Sequence, residues 1–345
     1  MRPVALKTMT DVLLAHPQYS AAIDPDHIAG FGASLGGQAI ANLMGAKLTT
    51  SIDLSCHETV RDPRIKVGVG YVPYAGQIFL PAFCSDQSGA DEVTRPYLAI
   101  SGTADTTAPL QSVKQAVNRF KGSRYLVELV DGQHELRPED IGDLFTWMVT
   151  FYQAYVEEQP AAYAKLFRMQ GVTGGREDHL TIDSHWPTTL GANDLRVTEL
   201  HNDRIDRYFL EPDAAEVASM LQGSAGAGWT TTGYAFKAWA QIPLADTTCH
   251  YDTTALVGPA VAQECGYTKR LGRWIFDEAG GFFIEATGSN GRCADGRLIV
   301  NRVYSPALAL SRTVSSQRFV TSDSAAREML ANGWILLPAT MCARY

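Results

Sequence analysis

The sequence predicts an α/β fold in its first half, a parallel sheet flanked by helices, followed by a β-rich second domain containing three pseudo-repeats. Three observations carry this. From residue 1 to about 170, stretches with helical periodicity alternate with short apolar runs; beyond about residue 195, short aromatic runs and turns take over; and within that second texture one pattern recurs. The boundary is placed between residues 190 and 191.

In the first domain, four strands are expected: His27 to Gly32, Lys66 to Tyr71, Tyr97 to Ser101 and Arg124 to Val130. Each is rich in Val, Ile, Leu, Tyr or Phe, and each stops at a Gly, Pro or Asp signal. Helices fill the gaps. Ala5 to His16 carries Leu6, Met9, Val12 and Leu13 on one face, and Gly37 to Met44 and Leu110 to Phe120 follow the first and third strands. Leu144 to Tyr155 closes the domain, with Phe145, Met148, Val149 and Tyr152 as its apolar face. The stretch from Gly171 to Pro187 reads as a Gly-rich, polar exit loop.

In the second domain, the first copy runs Arg207-Tyr208-Phe209, a helix-like Ala214 to Met220, Gly228-Trp229 and Tyr234-Ala235-Phe236. A later copy runs Arg318-Phe319-Val320, Ala325 to Leu330 and Gly333-Trp334, ending near Met341-Cys342. A degenerate third lies between them, over Ala262 to Cys265, Arg273 to Phe276 and Gly281-Phe282-Phe283. A compact module with pseudo-threefold symmetry follows, and the tryptophans are expected to form its core.

Composition narrows the function classes. With 345 residues, 46% hydrophobic and 19% charged, the chain is long enough for two packed domains. A net charge of −8 and a pI near 5.5 argue against nucleic acid as a partner, since phosphate binding needs clustered Lys and Arg. No apolar run approaches the ~20 residues that span a bilayer, and Met-Arg-Pro-Val-Ala-Leu-Lys lacks the apolar core of an export signal. The six cysteines point the other way. Cys56 and Cys84 fall in the first half, and Cys249, Cys265, Cys293 and Cys342 in the second, an even number in each and without close metal-ligand spacing. Disulfides, and so a secreted or periplasmic location, are expected. Four cysteines permit three connectivities; the expected pairs are Cys56 with Cys84, Cys249 with Cys265, and Cys293 with Cys342.

The chemistry is concentrated in Gly32-Ala33-Ser34-Leu35-Gly36, at the junction of an expected strand and helix. A sharp turn there would lift the Ser34 hydroxyl out at the top of the sheet. Glycine is expected at 32 and 36 because a Cβ at either place would clash in the strained turn. Leu35 offers its backbone N–H at the helix start, where it can hold an oxyanion. In sheets with such an elbow the acid and then the histidine follow the serine in the chain, which excludes His16, His27 and His57. Asp105 lies just past the third strand, in Ser101-Gly102-Thr103-Ala104-Asp105. His134 lies just past the fourth, in Val130-Asp131-Gly132-Gln133-His134. His179 and His185 are rivals that follow no strand and read as surface or lid residues. Tyr74, in Pro73-Tyr74-Ala75-Gly76, is a candidate substrate-binding wall of an acyl pocket. Glu177, Asp178, His179, Asp183 and His185 are crowded but lack the spacing of a zinc site, so no metal is expected, and no nucleotide loop implies an organic cofactor.

These segments, with Asp24-Pro25-Asp26-His27-Ile28-Ala29-Gly30-Phe31 leading into the elbow and Asp62-Pro63-Arg64-Ile65-Lys66 opening the second strand, resemble the α/β-hydrolase superfamily. Within it they resemble the dienelactone-hydrolase-like and platelet-activating-factor-acetylhydrolase-like esterases. The resemblance spans roughly the first 155 residues. It implies a triad of Ser34, Asp105 and His134, with Leu35 as one oxyanion donor, and hydrolysis of a small-molecule or polymeric ester through an acyl-enzyme. Serine rather than cysteine favours the esterase and lipase side. The second-domain repeats resemble a module of secreted bacterial proteins and imply an accessory role, such as binding a surface or polymer.

The family's earlier strands and its oxyanion-hole loop should precede the helix that leads to the nucleophile strand, and this sequence opens at that helix. Either it is a fragment or the sheet is reduced to about four strands, with the nucleophile strand at an edge that a second copy can pair with. A homodimer through that edge is the expected assembly. Two other functions remain open: a binding or adhesive protein with a vestigial hydrolase domain, and a serine peptidase.

Overall fold

The computed structural model describes residues 2–49, 55–58, 60–77, 79–166, 169, 171–187, 190–240, 248–252, 281–288, 291–294, 297–305 and 317–344. The chain forms two units, Met1–Asp183 and Ser184–Tyr345.

The first unit runs α1 (Arg2–Ala15), β1 (Ile28–Ala33), α2 (Leu35–Leu43), β2 (Lys47–Thr49), β3 (Cys56–Glu58), β4 (Ile65–Tyr71), β5 (Gly76–Gln77), β6 (Leu80–Pro81) and β7 (Tyr97–Gly102). It continues α3 (Leu110–Arg119), β8 (Arg124–Leu129), α4 (Pro138–Tyr155), α5 (Pro160–Leu166) and β9 (Asp178–Ser184). Its main sheet has the order β1-β4-β7-β8-β9. The first four strands are parallel, with Phe31 opposite Val69, Val69 opposite Leu98 and Ile100 opposite Val127. Alternate side chains go to opposite faces. Val69, Ile100 and Val127 meet Leu144, Trp147 and Phe151 of α4, while Ala99 and Leu126 meet Ile40 of α2 and Val117 of α3. Burial on both faces is why these strands read as near-continuous apolar runs.

Three expectations for this unit need correction. The stretch read as an exit loop contains β9, a fifth strand that makes the sheet mixed. The Val130 N–H donates to the Glu177 carbonyl at 2.8 Å and the Thr181 hydroxyl to the Leu126 carbonyl at 3.5 Å, a register that descends as the chain ascends and is therefore antiparallel. Leu180 and Ile182 supply its buried apolar positions. Helix α4 begins six residues earlier than expected, at Pro138, whose fixed φ suits a first helical position. It buries Leu144, Trp147, Phe151 and Ala154, and leaves Phe145 and Val149 exposed. In α1 likewise, Leu6, Met9 and Val12 face outward.

The second unit runs β10 (Asp194–Asn202), β11 (Arg207–Glu211), α6 (Ala214–Leu221), β12 (Trp229–Trp239), β13 (Thr248–Asp252), β14 (Gly281–Ala286), β15 (Leu298–Tyr304), β16 (Gln317–Val320), α7 (Asp323–Ala331) and β17 (Ile335–Ala343). Its strands form a separate antiparallel sheet, β11-β10-β12-β14-β17-β15-β16, with β13 beside β14. The repeat is visible in the pairing. In the first copy β10 and β11 form a hairpin, α6 follows behind an Asp213 cap, and β12 returns against β10. In the last copy β15, β16, α7 behind a Ser322 cap, and β17 against β15 repeat that order. Between them β13 pairs with β14 as the first and last strands of a copy do; residues 262–265 and 273–276 lie outside the described residues. The three closing strands also meet one another, Trp239 opposite Phe283, Glu285 opposite Cys342, and Lys237 bridged to Arg344.

Among the described residues the tryptophans are not the core of this unit. Val197, Leu200, Phe236, Phe282, Ile284 and Val300 are buried there, whereas Trp229, Trp239 and Trp334 are half-buried. A bulky indole with an N–H to satisfy sits more easily at the margin; Trp229 donates to the Ala225 carbonyl, and the Arg344 guanidinium lies 4.8 Å over Trp239. The buried polar link is Arg318, which grips Glu199 with two bonds of 2.7 and 2.6 Å beneath the Tyr208 ring. Disulfides join Cys56 to Cys84 and Cys293 to Cys342. Cys249 lies in β13, and its expected partner Cys265 lies outside the described residues. Among the described residues no helix is long and apolar enough to cross a membrane.

Candidate active site

Ser34 joins β1 to α2 with φ 53° and ψ −122°, a conformation that L residues rarely adopt. Neighbouring backbone fixes it there. The Ser34 N–H donates to the Tyr71 carbonyl at 2.9 Å, and its own carbonyl accepts from the N–H groups of Tyr74 and Gln38 at 3.0 and 3.2 Å. The turn is so tight that a Cβ on Gly32 would lie 2.2 Å from the Gly36 carbonyl carbon. Gly36 itself has nothing within 4 Å of its would-be Cβ, so the expected clash there does not exist. On the helix side the close approach falls one residue later, at Gly37, whose would-be Cβ lies 2.8 Å from the Pro73 Cβ.

Asp105 stands in the loop after β7, and its side chain is buried. Oδ1 accepts the N–H groups of Thr107 and Ala108, each at 2.8 Å, which aims Oδ2 at the Nδ1 of His134, also 2.8 Å away. His134 stands in the loop after β8. That loop turns through Asp131 at φ 56° and is tied to the neighbouring one, since Thr103 Oγ1 accepts the Asp131 N–H and the Gly132 carbonyl accepts the Ala104 N–H. The His134 ring is one quarter exposed, and its Nε2 lies 2.9 Å from Ser34 Oγ. With Nδ1–H donating to Asp105, Nε2 is left to accept the Ser34 hydroxyl proton. Three loops at the carboxyl ends of β1, β7 and β8 thus converge on one hydrogen-bonded chain from serine to imidazole to carboxylate.

The other candidates divide. Leu35 is the first residue of α2, so its N–H has no partner within the helix and lies at the positive end of the helix dipole. Tyr74, whose own N–H is bonded to the Ser34 carbonyl, is half-buried and lines a small apolar recess with Gln38, Pro73, Ala75, Phe83 and Phe120. His179 is exposed and holds Glu177 at 3.0 Å. His185 is not a surface residue: it is buried in the second unit, and burial depresses its pKa to about 3. Asp178 is committed to the Trp147 indole N–H at 2.6 Å and the Val172 N–H at 3.2 Å. Among the described residues no three His, Cys, Asp or Glu side chains are grouped to hold a metal ion.

Sequence reasoning missed Tyr71 and Asp140. Tyr71 ends a buried strand, where an aromatic reads as core, and Asp140 sits in the first turn of α4, where an acid reads as a cap. Their hydroxyl and carboxylate meet at 3.2 Å beside the loop that carries His134.

Compared with known proteins, the chain matches no family model and no curated protein sequence.

Proposed function

We propose that the first unit is a serine esterase of the α/β-hydrolase type, hydrolysing carboxylic esters through an acyl-enzyme. The observation that carries this reading is the Ser34–His134–Asp105 chain, with links of 2.9 and 2.8 Å, raised at the ends of parallel strands. Ser34 Oγ attacks the ester carbonyl carbon while His134 Nε2 takes its proton, and Asp105 stabilises the imidazolium that results. The Leu35 N–H faces the developing oxyanion. Collapse of the tetrahedral intermediate breaks the bond to the alcohol oxygen, which leaves with the proton from His134. Water then attacks the acyl-enzyme, giving a proton to the same nitrogen, and the acid departs as Ser34 regains its hydrogen. Tyr74 and its apolar neighbours serve as the wall for the acyl group.

The test is hydrolysis of a short p-nitrophenyl ester by the wild type and by Ser34→Ala. Loss of the nucleophile lowers kcat by about 10³-fold or more; equal rates would sink the reading. A secreted or periplasmic setting is supported by the two disulfides. We assign the second unit an accessory role in binding a surface or polymer, supported by the half-buried indole faces of Trp229, Trp239 and Trp334. The partner proposed for the first unit is a second copy, paired along the outer edge of β1.

A further inference from the structure

The proposed nucleophile and its base come from different parts of the sheet, and one residue is bonded to the elbow of the first through its backbone and to the loop segment of the second through its hydroxyl. Tyr71 ends β4, directly opposite Ala33 of β1. Its carbonyl accepts the Ser34 N–H at 2.9 Å, so its backbone sets the height of the elbow. Its ring is buried in the core beneath α4, and its hydroxyl emerges on the side of the His134 loop. There it lies 3.2 Å from Asp140 Oδ2 and 3.4 Å from the Glu135 carbonyl, the residue next to His134. Asp140 is held in turn: Oδ2 accepts the Arg137 N–H at 3.1 Å, and Oδ1 accepts the Arg176 guanidinium. The segment from His134 to the first turn of α4 is therefore fastened to Tyr71 at two points.

We infer that the Tyr71 hydroxyl is a positioning group for the proposed hydrolysis, fixing the separation of His134 Nε2 from Ser34 Oγ without touching substrate. Geometry makes this more than packing. A phenol has a single proton to donate, and both acceptors within its reach belong to the strap that bears the histidine. Burial first, and then the Asp140 charge, push the phenol pKa well above its ordinary value, so the proton stays on Tyr71 through the whole range in which an imidazole titrates. Arg176, extending from the segment before β9, bonds both Asp140 Oδ1 and Glu139 and so fixes the place of the Asp140 carboxylate.

The inference rests on the reading of Ser34 as nucleophile, and the experiment separates the two. Tyr71→Phe removes the hydroxyl and keeps the ring. Tyr125→Phe is the control, since it removes another buried hydroxyl from the same core face, one bonded to Tyr155 at 2.6 Å and not to the triad loops. On a p-nitrophenyl ester, Tyr71→Phe is expected to lower kcat by about 10- to 100-fold with little change in KM, because misplaced reacting groups slow the chemical step more than binding. Asp140→Asn, which keeps an acceptor oxygen but loses the charge, falls between it and the wild type, while Tyr125→Phe keeps the wild-type kcat. Should Tyr71→Phe not fold, the same ordering is read from Asp140→Asn against Tyr125→Phe. Ser34-dependent turnover that is unchanged in Tyr71→Phe, or lowered equally in Tyr125→Phe, overturns the inference alone. Absence of Ser34-dependent turnover in the wild type overturns the inference together with the esterase reading.

Discussion

Asp143 lies one turn along α4 from Asp140 and is fully buried. Its Oδ2 accepts the Arg176 N–H at 2.7 Å, and among the described residues its Oδ1 has no partner. Burial is the largest influence on it and raises its pKa from 3.8 to about 6; the Arg176 bond opposes this, and the nearby charges of Asp178 and Asp140 add to it. The folded state thus binds a proton that the unfolded chain has already released, so stability falls as pH rises through this window. The stabilisation is present in full below about pH 4, is lost progressively up to about pH 6, and amounts to ~3 kcal/mol at most for a shift of this size. Asp143→Asn is expected to flatten that slope and to be the more stable protein at pH 7. Urea unfolding of both proteins between pH 4 and 7 checks this; parallel curves would contradict it.

Ser34, Asp105 and His134 were legible because each stands just past a strand in a segment rich in glycine or small residues, and chain order limits the choices. Tyr71 was not, because alternation along a strand assigns its ring to the core correctly and says nothing of where the hydroxyl emerges. Gly36 was over-read: the pattern treats both glycines of the elbow alike, while the backbone crowds only Gly32.

Among the elements, the parallel strands were legible and the helix faces were not, for one physical reason. A strand buried on both sides needs only an apolar run, whereas a helix must choose a stripe. α4 carries two, one through Leu144, Trp147 and Phe151 and one through Phe145, Met148 and Val149, and periodicity alone cannot rank them. Packing does. Phe151 is completely buried and Phe145 is 52% exposed, so Phe151→Ala is expected to cost about 3–5 kcal/mol and Phe145→Ala less than about 1. Equal losses in chemical denaturation would mean that α4 is seated by its other face. β9 was missed because Asp178 and Asp183 gave it a polar texture; both acids are nonetheless buried, Asp178 on the Trp147 indole.

For the whole molecule, the open question is what meets β1. It is the first strand of its sheet, with Phe31 exposed on it. The Tyr152 hydroxyl of α4 reaches its Gly30 carbonyl at 3.2 Å, and that helix turns Phe145 and Val149 outward as α1 turns Met9 and Val12. Among the described residues no second strand pairs with β1 on its outer side, and such an edge invites strand pairing. A dimer is therefore expected in sedimentation equilibrium, with Phe31→Lys shifted towards monomer; a wild type that stays monomeric as concentration rises would contradict the pairing.

All of this depends on Ser34 being a nucleophile. The most direct measurement is peptide mass mapping after reaction with a fluorophosphonate ester, which traps an activated serine covalently. A single phosphonyl adduct on Ser34 is expected, absent from Ser34→Ala and formed much more slowly in His134→Ala. An unlabelled protein, or label that persists in Ser34→Ala, would contradict it.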